Sequence, residues 1–300
     1  MTLTNTDPVL RRAWHPVLPL AAMHSAAMHS SAIPVRLLGE DWVVARRDGE
    51  VSVRSDRCPH PECATAPAAV TTHLGLVWIA PDPPLAPLPP DPLADDDRSR
   101  FARADLAPVT TRAGAGLLID NFLDMAHFPF VHAATIGAEE EPRVPPSVVE
   151  RDGLGMTVRS SHRFPNREDP EVRAGRRPLL QTRHVTYRYT APFAASLRID
   201  YEEAGGTNVI TFFVQPVDGE TCTVHTSIAR DDIGHDPERL AAALAFEEGV
   251  VAEDLALQRR FVDLALPLDL TAEVHTRADR ATVELRRILA EMVAPAEVAS

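Results

Sequence analysis

Short runs in which apolar and polar residues alternate dominate the first quarter of the chain. Residues 34–38, 42–45 and 51–53 read as strands separated by Gly39-Glu40-Asp41 and by Asp48-Gly49. An Asp-Gly pair between alternating runs is a hairpin signal, because both central residues of the tight turn need positive φ. Residues 74–80 read as a further strand, so 14–80 is expected to be a small β module. Residues 81–92 are proline-rich. Such a stretch builds neither a central strand nor a regular helix and reads as an extended connector. The domain boundary is placed there, with 1–92 as one unit and 93–300 as the other.

Beyond the connector the period changes. Residues 117–132 read as a helix with a disturbed end, since Pro129 removes a backbone donor. Residues 148–230 alternate in the strand manner, with turns at Asp152-Gly153, Gly205-Gly206 and Asp218-Gly219, which predicts an antiparallel meander. Asp236-Pro237 then opens a long helix, with Asp as the cap and Pro at the first helical position. Its expected buried stripe is Phe246, Val250, Asp254, Leu257, Phe261 and Leu264, at steps of four and three. The fold class is therefore α+β.

An ionised carboxylate on a core-facing stripe is costly unless it is paired, hydrogen-bonded or bound to metal. Asp254 is such a residue, whereas Glu253, one position over, is expected to point elsewhere. Upstream, Asn121, Asp124, His127 and His132 lie within twelve residues of mostly apolar sequence. His127 shares a helix face with Asp124. His132 would point about 140° away from His127 on a regular helix, and a bend at Pro129 would bring it back. Two His and one distant carboxylate are the ligand set of a facial triad for non-haem Fe(II). The plain alternative is two partly buried histidines with Asp254 neutralised by an arginine such as Arg280.

Composition narrows the function. The chain has 300 residues, ample for one large or two modest domains, and 45% hydrophobic with 24% charged residues are ordinary globular values. There are 43 Asp+Glu against 30 basic residues, all of them Arg, for a formal charge of −13. That balance argues against a nucleic-acid surface. No apolar run approaches a membrane span, and residues 1–12 do not read as a secretory signal. Cys58, Cys63 and Cys222 are too few for a disulfide framework, so a reducing, cytoplasmic location is expected.

Several motifs resemble the oxygenase subunit of Rieske non-haem iron oxygenases, nearest the vanillate O-demethylase-like group. They are Trp14-His-Pro-Val-Leu18, Asp56-Arg-Cys-Pro-His60, Gly75-Leu-Val-Trp-Ile79, Asn121-x-x-Asp124-x-x-His127-x4-His132, and Glu253-Asp254 with Gln258. The Asn-x-x-Asp-x-x-His-x4-His pattern is the specific one, and the matches span nearly the whole chain. The resemblance implies a Rieske-like β domain followed by a helix-grip (START/Bet v1-like) catalytic domain, in which a long helix crosses a curved antiparallel sheet. It implies iron on His127, His132 and Asp254, with Asp124 as the carboxylate that orients His127 and Asn121 as a neighbouring polar group.

One departure dominates. A Rieske cluster takes a Cys-x-His pair and a second Cys-x-x-His pair. Cys58-Pro-His60 looks like the first, and nothing resembling the second follows it before Gly75. The β domain is thus expected to be truncated and to hold no [2Fe–2S] cluster; a zinc site from Cys58, His60, Cys63 and His73 matches no common spacing. The function expected is a mononuclear Fe(II) oxidoreductase or oxygenase acting with O₂ on a small organic molecule. Electrons would come from the substrate, from a small-molecule reductant, or from a reductase acting directly on the iron. The alternatives are a non-redox metal hydrolase or lyase on the same site, and an inactive partner or binding paralogue. The family resemblance implies a homo-oligomer, a trimer. Phe193, Phe212 and Phe213 are expected to line the cavity, whereas His162, His184 and His225 read as ordinary polar contacts.

Overall fold

The structure is a computed structural model that describes residues 1–25, 32–47, 49–56, 65–133, 135, 143–167 and 169–294. Cys58, His60, Cys63 and Asp48 lie outside the described residues.

Two three-stranded antiparallel sheets make up the amino-terminal region. One orders His15–Pro19, Leu76–Ala80 and Ala69–His73; the other orders Ile33–Leu37, Glu40–Arg47 and Glu50–Ser55. Val17, Leu37, Trp42, Val44, Val77 and Ile79 close a core between them. Leu74 is a turn residue rather than the start of a strand. Leu74-Gly75 and Leu38-Gly39 each take positive φ at both positions (49° and 80°; 54° and 80°). That is the two-residue hairpin geometry in which glycine at the second position avoids a Cβ penalty. His73 gives its Nε2 to the Pro89 carbonyl at 2.8 Å.

The larger layer is an eight-stranded antiparallel sheet. Its path runs Ser147–Asp152, Gly155–Pro165, Leu180–Thr190, Ala194–Tyr201, Thr207–Pro216 and Thr221–Arg230. Ala102–Asp105 and Val109–Arg112 both pair with the last of these strands. The long helix Pro237–Gln258 crosses this sheet as the helix grip predicts; the Asp236 side chain caps it and Pro237 opens it. Its buried stripe is one step round from the expected one: Ala243, Glu247, Val251, Leu255 and Gln258 are buried. Phe246, Val250 and Asp254 instead edge the cavity under the helix. The helix stops at Gln258, so Phe261 and Leu264 do not extend the stripe, and Phe261 is exposed.

The first layer docks on the second through Phe213 and Trp78, whose rings meet edge-on at 5.2 Å, and through Gln215 Nε2 donating to the Arg36 carbonyl. Phe213 is therefore spent on that contact, and Phe193 is buried beside His15. Of the three phenylalanines expected at the cavity, Phe212 alone lines it.

A second helix, Ala115–Leu123, carries the site. A Cβ on Gly114 would collide with the Leu264 carbonyl, and one on Gly116 would come 2.9 Å from Leu266. Glycine there lets the first turn press against the 264–266 segment. On its outer face Asp120 takes a bidentate pair from Arg286, a buried residue of the carboxy-terminal helix Arg280–Val293 that also reaches Glu273. The helix carrying Asn121 is thus fixed at both ends before any ligand is considered.

Candidate metal centre

The site helix ends at Asp124, whose backbone is extended (φ −80°, ψ 116°), and a single helical turn follows at Phe128–Val131. The break therefore comes five residues before Pro129. Pro129 lies in the first turn of the new segment, where its missing N–H costs nothing. The Asp124 carboxylate accepts from the Ala126 N–H at 2.7 Å and stabilises the bend. The result is the convergence that a regular helix forbids: His127 Nε2 and His132 Nε2 stand 3.0 Å apart.

Asp254 comes to the same point from the long helix. Its Oδ1 lies 3.4 Å from His127 Nε2 and 3.3 Å from His132 Nε2, and accepts from Asn121 Nδ2 at 2.9 Å. One ligand atom from each of His127, His132 and Asp254 lies within 4.8 Å of the others. Arg280 donates to the Ser147 carbonyl and does not reach Asp254. Among the described residues no guanidinium pairs with Asp254 or with Glu253. Two imidazoles and a carboxylate around one point, with a second carboxylate behind them and no fixed cation, suit a divalent ion.

Glu253 points to the site rather than away from it. Its Oε2 meets His132 Nδ1 at 2.9 Å and accepts from Thr135 Oγ1 at 2.8 Å. The bond fixes the His132 proton on Nδ1 and leaves the Nε2 lone pair for an ion, the usual arrangement behind a metal-binding histidine. Burial disfavours a charged His132, but Asp254 and Glu253 outweigh it, so its pKa is raised. Burial would likewise push Asp254 up; its hydrogen bonds to His127 and His132 win and hold it well below the ordinary carboxylate range. Asp124 stands 3.8 Å from His127 Nδ1, beyond hydrogen-bond reach. That nitrogen has no partner among the described residues. Neither Glu253 nor Thr135 was expected here; two successive acids in an apolar helix were the available signal for the first.

The open side of the three ligands faces a cavity between helix and sheet. Phe122 stacks on Phe212 at 4.7 Å and 14°, and Tyr187, Leu197, Ile199 and Ile210 continue an apolar wall. The strand histidines behave as ordinary polar groups. His184 bonds Ser161 and Glu202, His225 bonds Gln215, and His162 accepts from Arg183.

Residues 111–295 match the family model of the vanillate O-demethylase oxygenase C-terminal domain. The chain is 33% identical to a probable methylxanthine N7-demethylase of Pseudomonas sp. (strain TJI-51), over 92% of each chain. It is 25% identical to the methylxanthine N1-demethylase NdmA of Pseudomonas putida, over 94% of this chain and 89% of that one. A solved structure of a mutant of NdmA with caffeine superposes with a TM-score of 0.77 at 22% identity, covering 96% of this chain and 92% of that one. That likeness covers both the small β region and the helix-crossed sheet. The chain belongs to the vanillate O-demethylase oxygenase family and is an oxygenase acting on small organic molecules.

Proposed function

We propose that His127, His132 and Asp254 hold one iron(II), and that the protein oxidatively removes a methyl group from a methylxanthine-like heterocycle without a Rieske cluster of its own. The observation that carries this reading is the convergence of the three ligand atoms on one point at the wall of an apolar cavity. The substrate class is carried over from the methylxanthine relatives. The stacked Phe122 and Phe212 pair offers a flat apolar wall for such a ring system. The sequence has a single Cys-x-His pair with no Cys-x-x-His pair between it and Gly75, and the Cys222-Thr-Val-His225 spacing lies on a strand of the large sheet, which supports the absence of a cluster.

Bound iron would supply the site at which O₂ is activated. The protein's own groups position and neutralise. Glu253 holds His132 by Nδ1, Asn121 holds Asp254 by Oδ1, and the carboxylates of Asp254 and Glu253 balance a dication. Oxidative N-demethylation converts R₂N–CH₃, O₂, two electrons and two protons into R₂N–H, formaldehyde and water. The two electrons exceed what the methyl group releases, so an external reductant is required and the substrate alone does not suffice. Asp124, 3.8 Å from His127 Nδ1, is 30% exposed.

The test is iron content followed by turnover. Protein loaded anaerobically with Fe(II) is expected to retain about one iron per chain. Given caffeine and hydrogen peroxide, which supplies O₂ with its two electrons and two protons, it is expected to release formaldehyde. Full metal occupancy in Asp254→Ala would overturn the ligand assignment, and an iron-loaded protein that yields no formaldehyde from any methylxanthine would overturn the reaction.

A further inference from the structure

The long helix Pro237–Gln258 contains one glycine, Gly249. A glycine in a helix interior is less stable than an alanine, and here packing accounts for it. A Cβ at Gly249 would touch Thr135 Cγ2 at 3.4 Å. Thr135, which is half-buried, therefore seats its methyl group in a notch of the helix surface. A single carbon at residue 249 makes ordinary contact there, and a branched side chain would fill the notch.

Glu253 follows four residues later, on the same face of the helix. Thr135 Oγ1 lies 2.8 Å from Glu253 Oε2 and 3.4 Å from the His132 carbonyl oxygen. A hydroxyl has one proton, and the shorter contact takes it as a charge-assisted bond to the carboxylate. The same Oε2 meets His132 Nδ1 at 2.9 Å. Glu253 by itself is a flexible side chain, 22% exposed, that the bond to His132 alone would have to hold. Threonine is stiff at χ1, and with its methyl group in the notch its hydroxyl has a fixed place. Phe128 packs edge-on against the His132 ring, with centroids 5.7 Å apart. The direction of His132 Nε2 is thus decided by where Glu253 Oε2 stands.

We infer that Thr135 is a positioning residue of the metal centre: seated in the notch at Gly249, its hydroxyl locks the Glu253 carboxylate onto His132 and so sets the direction in which that histidine meets the ion. The inference rests on the preceding reading that His132 is a metal ligand. It extends the set of residues that shape the centre to two that touch neither metal nor substrate, because partners behind a ligating histidine fix its orientation and its affinity for the ion.

Cobalt(II) tests this without turnover, since its visible bands report the geometry of the ligands around it. Metal-free wild-type protein is expected to take up about one cobalt(II) per chain. Thr135→Val, which keeps the shape and removes the donor, is expected to bind it about tenfold more weakly and with displaced bands. Thr135→Ser, which keeps the hydroxyl, is expected to stay within about twofold of wild type with the wild-type bands. Gly249→Ala should likewise stay within about twofold, whereas Gly249→Val, which fills the notch, should behave as Thr135→Val does. Thermal midpoints of the metal-free variants are expected within about 3 °C of wild type. Wild-type affinity and bands in Thr135→Val or in Gly249→Val, failure of Thr135→Ser to restore them, or a larger fall in the metal-free midpoint of Thr135→Val would each overturn the inference and leave the metal reading standing. Wild-type protein that takes up no cobalt(II) would overturn both.

Discussion

His15 in the amino-terminal region and His132 in the helix-crossed sheet are both almost completely buried, and burial leaves them in opposite states. His15 Nε2 meets the Leu10 carbonyl at 2.8 Å, and no charged group among the described residues acts on it. Desolvation pushes its pKa down to about 4, so it is a neutral core residue at physiological pH. His225 in the large sheet is of the same kind, lowered to about 4 by burial and bonded to Gln215. His132 suffers the same desolvation but faces Asp254 and Glu253, and the two carboxylates reverse the sign. Burial by itself makes a structural histidine; buried carboxylates beside it make a position that wants positive charge, whether a proton or a metal ion.

Removing the charge from the second setting gives the largest effect. Asp254→Ala is expected to lower iron affinity by more than about a hundredfold and to abolish demethylation, as read by metal analysis and formaldehyde release. Acid should expose the first setting. The unfolded state takes up protons on His15 and His225 below about pH 6.5, while the folded state resists until about pH 4. Their contribution to stability is therefore intact above pH 6.5 and lost as pH falls towards 4, by at most roughly 3 kcal/mol each. Urea midpoints between pH 7 and 4.5 measure it. His15→Gln, which keeps a donor for Leu10, should flatten that part of the curve, and an unchanged slope would refute the assignment.

Glu253→Gln is expected to cost about 10- to 100-fold in iron affinity, because the amide cannot draw the His132 proton to Nδ1 as a carboxylate does. The smallest effect belongs to Asn121→Ala, which removes one hydrogen bond to Asp254 and should weaken iron binding by about three- to tenfold. If Asn121→Ala proved worse than Glu253→Gln in iron titrations, orientation of Asp254 rather than of His132 would be the controlling contact.

Much of this was readable along the chain. Hairpin turns, the meander and the Asp236-Pro237 helix start are local signals, each decided by a few neighbouring residues, and the structure has them. Less was readable where the answer depended on rotation about a helix axis. The buried stripe of the long helix lies one residue round from the one its period predicts, because Phe246, Val250 and Asp254 are lined up as an apolar stripe would be but face a cavity. The same rotation hid Glu253, whose side chain reaches back to His132 although its Cα lies on the adjacent face. Pro129 predicts a bend, and the bend instead comes at Asp124, where the carboxylate accepts from the Ala126 N–H.

By itself the sequence determined the α+β class, the ligand types and their order along the chain, because residue identity and short-range period are local properties. Tertiary structure alone decided that two helices 120 residues apart meet at Asp254. It also decided that Glu253 rather than Asp124 carries the hydrogen bond to a histidine. Those outcomes depend on which side chains distant backbone segments bring within about 3 Å, a distance that no local pattern encodes.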